Sequence, residues 1–374
     1  MDKPIHIQHV ILSLQPGGLE NGVVNVVNGL NPGRFRSSVC CLQKAGEFVG
    51  RLQQSHVQVH EMGLQGGNDY VLPLKLARLF RQTRTDIVHT RNPEAFFYGF
   101  LGAKLGGIKT VIHSEHGRLF PDKRHRMLVQ RLFTRFTDKV FAVSEHLKRD
   151  LVTHVGLPAS QIEVIYNGVN VDKYPVDKTA TRGALGISDG DIVIGSVGRL
   201  APVKNYDLLL RAVPGLRGRH EVTVILVGDG PERARLEALA ESLQIREQIR
   251  FLGHRDDVRD LLAAMDIFVL PSHSEGMSNT LLEAMASGTP VVASAVGGNT
   301  EIVLDRRDGL IFPPDDLEQL HARLALLCND EAYRKRLGEA GYARVSQAFG
   351  IRAMIAHYEQ LYDRAAGGIE EGRA

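Results

Sequence analysis

Short runs of apolar residues recur along this chain, spaced so that one helix fits between each run and the next. Ile267-Phe268-Val269-Leu270, closed by Pro271, has no polar alternation, which is the pattern of a strand buried on both faces of a parallel sheet. The same reading predicts strands at 6–12, 38–42, 56–61, 87–90, 110–114, 139–143 and 163–166. A second series begins near 191 and continues at 222–227, 249–252, 267–270, 290–294 and 309–312. Helical segments separate them. Residues 20–30 carry Val23, Val24, Val26 and Val27 before the stop signal Asn31-Pro32-Gly33, and 279–286 carry Leu281, Leu282, Met285 and Ala286 before Gly288 and Pro290. A last helix is predicted over 351–366, with 367–374 frayed. Strands alternating with helices predict an α/β chain of parallel sheets with right-handed crossovers.

At 374 residues the chain exceeds one ordinary core and predicts two domains, 1–174 and 175–350, with an exit around Asn167 to Asp172 and Pro175. Its 43% apolar and 24% charged residues are ordinary for a soluble globular protein. No run of about 18 apolar residues occurs, so no membrane-spanning helix is expected. Met1-Asp2-Lys3-Pro4 leads into a strand without a signal-like apolar region, and Cys40, Cys41 and Cys328 lack metal-ligand spacing. The expectation is a cytoplasmic protein with its thiols in the core and no nucleic-acid partner.

The net charge of +2 is unevenly divided. Residues 1–174 hold 22 Lys and Arg against 14 Asp and Glu, and the rest of the chain holds 23 against 29. The densest basic stretch runs from Arg118 to Arg149, with Lys123, Arg124, Arg126, Arg131, Arg135, Lys139 and Lys148 among Leu128, Val129, Leu132, Phe133 and Phe136. A basic amphipathic helix suits an anionic membrane surface or an anionic acceptor, and equally a solvated face over the core.

Candidate chemistry gathers where predicted strands end. Glu275-Gly276-Met277-Ser278-Asn279 follows one strand and opens a helix, on which Glu283 lies about two turns further along. Ligands of open parallel sheets bind beyond the carboxyl ends of the strands, where free amides at a helix start attract phosphate. Two carboxylates there suit sugar hydroxyls. Gly198-Arg199-Leu200-Ala201-Pro202-Val203-Lys204-Asn205 puts two cations, Arg199 and Lys204, on another strand-end loop, where they can clamp a diphosphate. Gly17-Gly18 offers a turn whose amides can approach a ligand closely, but Ser13-Leu14-Gln15-Pro16-Gly17-Gly18 is not G-x-G-x-x-G, which argues against a nicotinamide enzyme. His116 in Ser114-Glu115-His116-Gly117, the turn Gly228-Asp229-Gly230-Pro231 and the pair His254-Arg255 also follow predicted strands.

In this order, G-R-L, V-G-D-G-P, F-L-G, P-S-x-x-E-G and G-G-x-x-E-I-V between 195 and 303 resemble the retaining nucleotide-sugar glycosyltransferases of family 4. The opening Gln15-Pro16-Gly17-Gly18-Leu19-Glu20 is similar to a bacterial branch that occurs with exosortase-type exopolysaccharide systems. The resemblance implies the GT-B fold: two facing Rossmann-like domains, a cleft between them, and a last helix packed back on the first. It further implies that Arg199 and Lys204 hold the diphosphate, Glu275 the donor sugar and Glu283 the ribose. It places His116 near the sugar, Gly17 and Gly18 near the phosphates, and His254 and Arg255 near the base. The helix start Gly276, Met277, Ser278 and Asn279 would assist the leaving group.

The chemistry so implied is metal-independent transfer with retained configuration, without a cofactor, from a UDP- or GDP-linked sugar to a saccharide or polyprenyl-linked saccharide. A GT-B nucleotide-sugar epimerase or hydrolase would share the diphosphate site, and would act without an acceptor. A non-catalytic sugar-nucleotide-binding protein would have no need to keep Arg199, Lys204, Glu275 and Glu283 together.

Overall fold

The structure, a computed structural model, describes residues 3–53, 57–67, 69–117, 122–174, 178–188, 190–216 and 221–371. The chain forms two units, Met1–Asn167 with Arg352–Ala374, and Gly168–Ile351. In the first, β1 (Ile5–Ile11), β2 (Phe35–Cys41), β3 (Gln58–Glu61), β4 (Ile87–Arg91), β5 (Thr110–Glu115), β6 (Lys139–Ala142) and β7 (Ile162–Val164) form one sheet in the order β3-β2-β1-β4-β5-β6-β7. In the second, β8 (Ile192–Val197), β9 (Val222–Val227), β10 (Ile249–Gly253), β11 (Ile267–Leu270), β12 (Val291–Ser294) and β13 (Leu310–Phe312) lie in the order β10-β9-β8-β11-β12-β13. All their pairings are parallel. The order reverses between β1 and β4 in one sheet and between β8 and β11 in the other. At such a reversal the outgoing loops part and leave a crevice at the carboxyl edge.

The inner strands of both sheets are buried on both faces, which is why β11 reads as an unbroken apolar run, while the edge strands β3 and β10 are partly exposed. In the second unit Ile194, Leu226, Val269, Val292 and Phe312 pack with Leu209, Leu236 and Leu324 from the helices. In the first, Val10, Val88 and Val111 face Phe80 and Phe96, while Ile11 and Val39 face Val27 and Phe48. The first sheet also buries polar side chains. Arg91 is only 2% exposed, with Nη1 donating to His9 Nδ1 at 3.0 Å, and His9 and His89 lie beside Tyr358 and Tyr362 of the C-terminal helix.

Several boundaries differ from those predicted. The units part at Asn167, seven residues before the predicted 174, because Val169 is tied to the end of a later helix: its N–H donates to Phe349 O at 2.9 Å, and Ile351 N–H donates to Val169 O at 2.9 Å. Pro175, part of the predicted exit, lies outside the described residues. The last helix runs Ile351–Glu371, beyond the predicted end at 366, so the stretch expected to fray is helical to 371. The basic stretch comprises a helix Arg124–Thr134, then β6 where a strand was predicted, then a helix Glu145–Asp150, and Arg118 lies outside the described residues. Asp138 breaks the pattern, its carboxylate accepting from Val111 N–H at 2.7 Å where the chain enters β6.

Two close approaches register the loops of the second unit. Gly297 has φ +50°, and a β-carbon there would lie 1.7 Å from Glu275 O. Gly298 N–H then donates to Gly276 O at 3.0 Å. Gly228 has φ +126°, and a β-carbon there would lie 2.1 Å from Gly198 O. Only glycine permits either contact. Gly297→Ala must therefore displace the Glu275 loop and is expected to destabilise the protein by about 2 kcal/mol or more. Gly183→Ala, on an exposed helix face with nothing within 4 Å, is expected to be neutral or slightly stabilising. Denaturant melts of the two variants check this, and equal midpoints would show the Gly297 contact to be soft.

Candidate active site

Loops after β8 and β11 flank the strand reversal of the second sheet, and they carry six of the predicted site residues, Arg199, Lys204, Glu275, Gly276, Met277 and Ser278. Lys204 ends a short 3-10 turn, Pro202–Lys204, after β8. Glu275 sits in the loop after β11. The two meet across 71 positions of sequence: Lys204 Nζ donates to Glu275 Oε1 at 2.7 Å, with side chains only 20% and 11% exposed. Ser272 Oγ donates to the same oxygen at 2.6 Å. No described residue donates to Glu275 Oε2, and an ammonium has three N–H groups, of which Glu275 takes one. The pair therefore keeps an acceptor and two donors for a ligand.

Arg199 is exposed, and its guanidinium makes no hydrogen bond or ion pair with a described residue. The predicted clamp is thus unequal, one cation already paired with a carboxylate and one open to solvent. Tyr206, which the sequence reading passed over, lies beneath this loop. A β-carbon on Gly198 would come within 2.8 Å of its hydroxyl, and burial, then the charge of Glu275, raises its pKa well above the ordinary phenol range.

The helix Asn279–Ala286 opens with Ser278, whose Oγ accepts from Leu281 N–H at 3.3 Å as an N-cap. Met277 and Ser278 are buried and Gly276 is tied to Gly298, so this segment is held by the core. Glu283 is half-buried on the same helix, and the pKa of Tyr174 is raised by burial first and by the charge of Glu283 next. Behind the loop, Ser294 Oγ donates to Ser272 O at 2.7 Å, and the buried Asn299 Nδ2 donates to Ser294 O at 3.1 Å. Ser272, Tyr174 and Tyr206 are the residues that only the tertiary structure adds. Of these Ser272 alone had a local signal, the P-S-x-x-E-G spacing.

His254 and Arg255 follow β10, and both are exposed. Arg255 forks onto Asp257, Nε to Oδ1 at 2.7 Å and Nη2 to Oδ2 at 2.5 Å, so its guanidinium is engaged locally. An Asp-x-Asp triplet, a spacing that suits a divalent cation, occurs at 189–191; Asp189 lies outside the described residues, and Asp191 directly precedes β8, at the sheet edge opposite these loops. Of its two carboxylates only that of Asp191 is described, and it accepts from Ser188 N–H at 3.2 Å.

In the first unit, Gly17 and Gly18 form the start of the helix Gly18–Gly29 after β1, and the Glu20 carboxyl, its pKa raised by burial, lies over Gly17. His116 follows β5. Its N–H donates to Asn92 Oδ1 at 3.0 Å and its Nε2 lies 3.1 Å from Ser114 Oγ. Burial, then Arg91 and His113, lowers its pKa well below the usual imidazole value.

Comparison with known proteins agrees with this architecture. Residues 16–173 match the model described as Glycosyltransferase Family 4, and 177–344 that described as Glycosyl transferases group 1. An uncharacterized glycosyltransferase of Methanocaldococcus jannaschii is 30% identical over 67% of this chain and 68% of its own length. A UDP-Gal:alpha-D-GlcNAc-diphosphoundecaprenol alpha-1,3-galactosyltransferase of Escherichia coli is 26% identical over 69% and 70%. Among solved structures, HepE of Anabaena in complex with UDP-glucose superposes with a TM-score of 0.87, covering 96% of this chain and 100% of HepE at 24% identity. Two doubly wound parallel sheets, a paired lysine and glutamate at the reversal of the second, and these matches over both halves show that the chain belongs to glycosyltransferase family 4, with the GT-B fold.

Proposed function

We propose that this glycosyltransferase moves a sugar, with retention and without a metal, from a nucleoside-diphosphate sugar to a saccharide or polyprenyl-linked saccharide in exopolysaccharide or envelope glycan synthesis. The observation that carries this reading is the Lys204–Glu275 pair at the strand reversal, with Arg199 open beside it. When the bond from the anomeric carbon to the diphosphate breaks, negative charge grows on the departing oxygen and positive charge on the sugar ring. The free donors of Lys204, the Arg199 guanidinium and the amides at the start of helix Asn279–Ala286 stabilise the first. Glu275 Oε2 accepts from sugar hydroxyls, Glu283 from the ribose, and a diphosphate oxygen takes the proton of the acceptor hydroxyl that forms the new bond. His116, Gly17 and Gly18 are assigned to the donor by family resemblance, as are His254 and Arg255, with their backbone toward the base. The named substrates of the E. coli relative support a UDP-linked donor and a polyprenyl-diphosphate-linked acceptor.

A membrane-bound acceptor also accounts for the helix Arg124–Thr134. Its polar Gln130 and Thr134 are buried, Gln130 Nε2 donating to Glu115 Oε1 at 2.6 Å, while Leu128, Leu132 and Phe136, four residues apart, are 65%, 52% and 62% exposed. Arg124, Arg126, Arg131 and Arg135 are exposed around them. An apolar edge with a cationic rim fits the interface of an anionic bilayer.

Three measurements test this reading. Product analysis with UDP-, GDP- and ADP-sugars, with and without acceptor, should give acceptor-dependent transfer, and an isomerised sugar nucleotide without acceptor would identify an epimerase. Lys204→Ala should lower kcat by about 10² to 10³, and Glu283→Gln should weaken nucleoside-diphosphate binding by about 1.5–3 kcal/mol in calorimetry. Wild-type values in either variant would remove that residue from the site.

Co-sedimentation with anionic vesicles should fall with salt, since each cation near the surface adds about 1 kcal/mol that salt screens. It should be lost when Lys123, Arg124, Arg126 and Arg131 become Gln, and also when Leu128, Leu132 and Phe136 become Ser. Undiminished binding of both variants would make this helix an ordinary solvated face.

A further inference from the structure

We propose that the helices Leu72–Thr83, Asn92–Gly106 and Arg124–Thr134 present one surface to an anionic bilayer, on which Tyr70, Val71 and Leu74 form a second anchor. The proposal rests on the reading of the helix Arg124–Thr134 as a membrane contact and extends that contact to its neighbours. Each of the three helices follows a strand of one parallel sheet, β3, β4 and β5, so all three run the same way and begin at its carboxyl edge. They also share one face of that sheet. Phe80, Phe96 and Phe133, one from each helix, pack in the cluster around Val10, Val88 and Val111, and Phe133 stacks on Phe100 with centroids 4.4 Å apart.

The outer side of the first of these helices repeats the character of the third. Leu72, Leu76 and Phe80 are buried, while Tyr70, Val71 and Leu74 are 82%, 56% and 57% exposed. The turn that carries them is pinned: Asp69 Oδ1 accepts from Val71 N–H at 2.8 Å and from Leu72 N–H at 3.0 Å, and Asp69 N–H donates to Tyr98 Oη at 3.2 Å. Core and cap together hold three apolar side chains outward. Three cations lie on the first helix, one on the second and three on the third, all exposed, against one acid, Glu94, which itself lies 4.0 Å from Arg126. A protein partner would call for an apolar centre depleted of charge, whereas here cations stand among the apolar side chains, Lys75 next to Leu74 and Arg131 next to Leu132. That mixture suits the headgroup layer, where a tyrosine ring and aliphatic groups enter the acyl boundary while long cations reach phosphate. A second copy of this face would meet it with the same sign of charge. Tyr70 lies in the connection that leaves β3, so the anchor brings the carboxyl edge of the first sheet, with its strand reversal, to the lipid surface.

The chain contains no tryptophan, so one introduced indole reports on its own surroundings. Tyr70→Trp and Leu128→Trp, each in the full chain, are mixed with vesicles of phosphatidylglycerol and phosphatidylcholine. The expected result is a blue-shifted emission from both variants, quenched when the acyl chains are brominated. Changing Tyr70, Val71 and Leu74 together to Ser should lower partitioning onto these vesicles about tenfold or more with the melting midpoint unchanged, since all three are exposed. Leu74→Ser alone, with a smaller loss, serves if the triple variant does not fold. A shift from Leu128→Trp but none from Tyr70→Trp would overturn this inference and leave the helix Arg124–Thr134 as the contact. No shift from either would overturn the membrane reading itself. Partitioning undiminished by the Ser substitutions would remove the second anchor, and a shift from Tyr70→Trp that grows with protein concentration without vesicles would assign the patch to a second copy instead.

Discussion

The second unit depends on polypeptide backbone touching backbone at the carboxyl edge of its sheet. A loop after β12 reaches the carbonyl of Glu275 through Gly297, and a loop after β9 reaches the carbonyl of Gly198 through Gly228. Neither contact leaves room for a β-carbon. Because of them, the loops after β8 and β11 are braced from the neighbouring strands, and Lys204 comes to rest 2.7 Å from Glu275. A mostly buried ammonium and carboxylate each compensate the desolvation of the other, and removing one would strand the other. The glycines are therefore part of the site although they offer a ligand nothing but backbone.

The first unit handles polarity differently. Its sheet buries Arg91 with no carboxylate against its guanidinium among the described residues, surrounding it with imidazoles and phenols. Burial and this one cation hold His9, His89 and His116 toward their neutral forms. Neutral rings both donate and accept, so they can be linked in chains, and a chain has direction. The last helix supplies Tyr358 and Tyr362 to this cluster, so the polypeptide closes the first core only after it has completed the second.

The face of the first unit with Arg124–Thr134 inverts the usual arrangement. Glutamine and threonine turn inward because Glu115, buried in β5, needs the Gln130 amide. Leu128, Leu132 and Phe136 are left outside. A helix under that constraint cannot be judged by composition alone, since Phe133 packs on the core while Leu128 and Leu132 stand exposed on the same helix.

The sequence by itself determined the elements and the family. Unbroken apolar runs marked strands buried on both faces, Gly288 and Pro290 marked the end of the helix Asn279–Ala286, and the spacing of Glu275 to Glu283 and of Arg199 to Lys204 lay within single loop-to-helix segments. Such signals are local, because a strand end, a cap and a turn are each decided within a few residues. Within the basic stretch the strand at 139–143 was legible as an apolar run, whereas the cationic charge around it carried no trace of the bond between Asp138 and Val111 that leads into β6. Only the tertiary structure decided which side chains meet: Lys204 with Glu275, Gln130 with Glu115, Tyr362 with His89. Those pairings follow from the order of strands in a sheet, and strand order is fixed by the packing of the whole core, not by any segment that a reader of the chain can inspect alone.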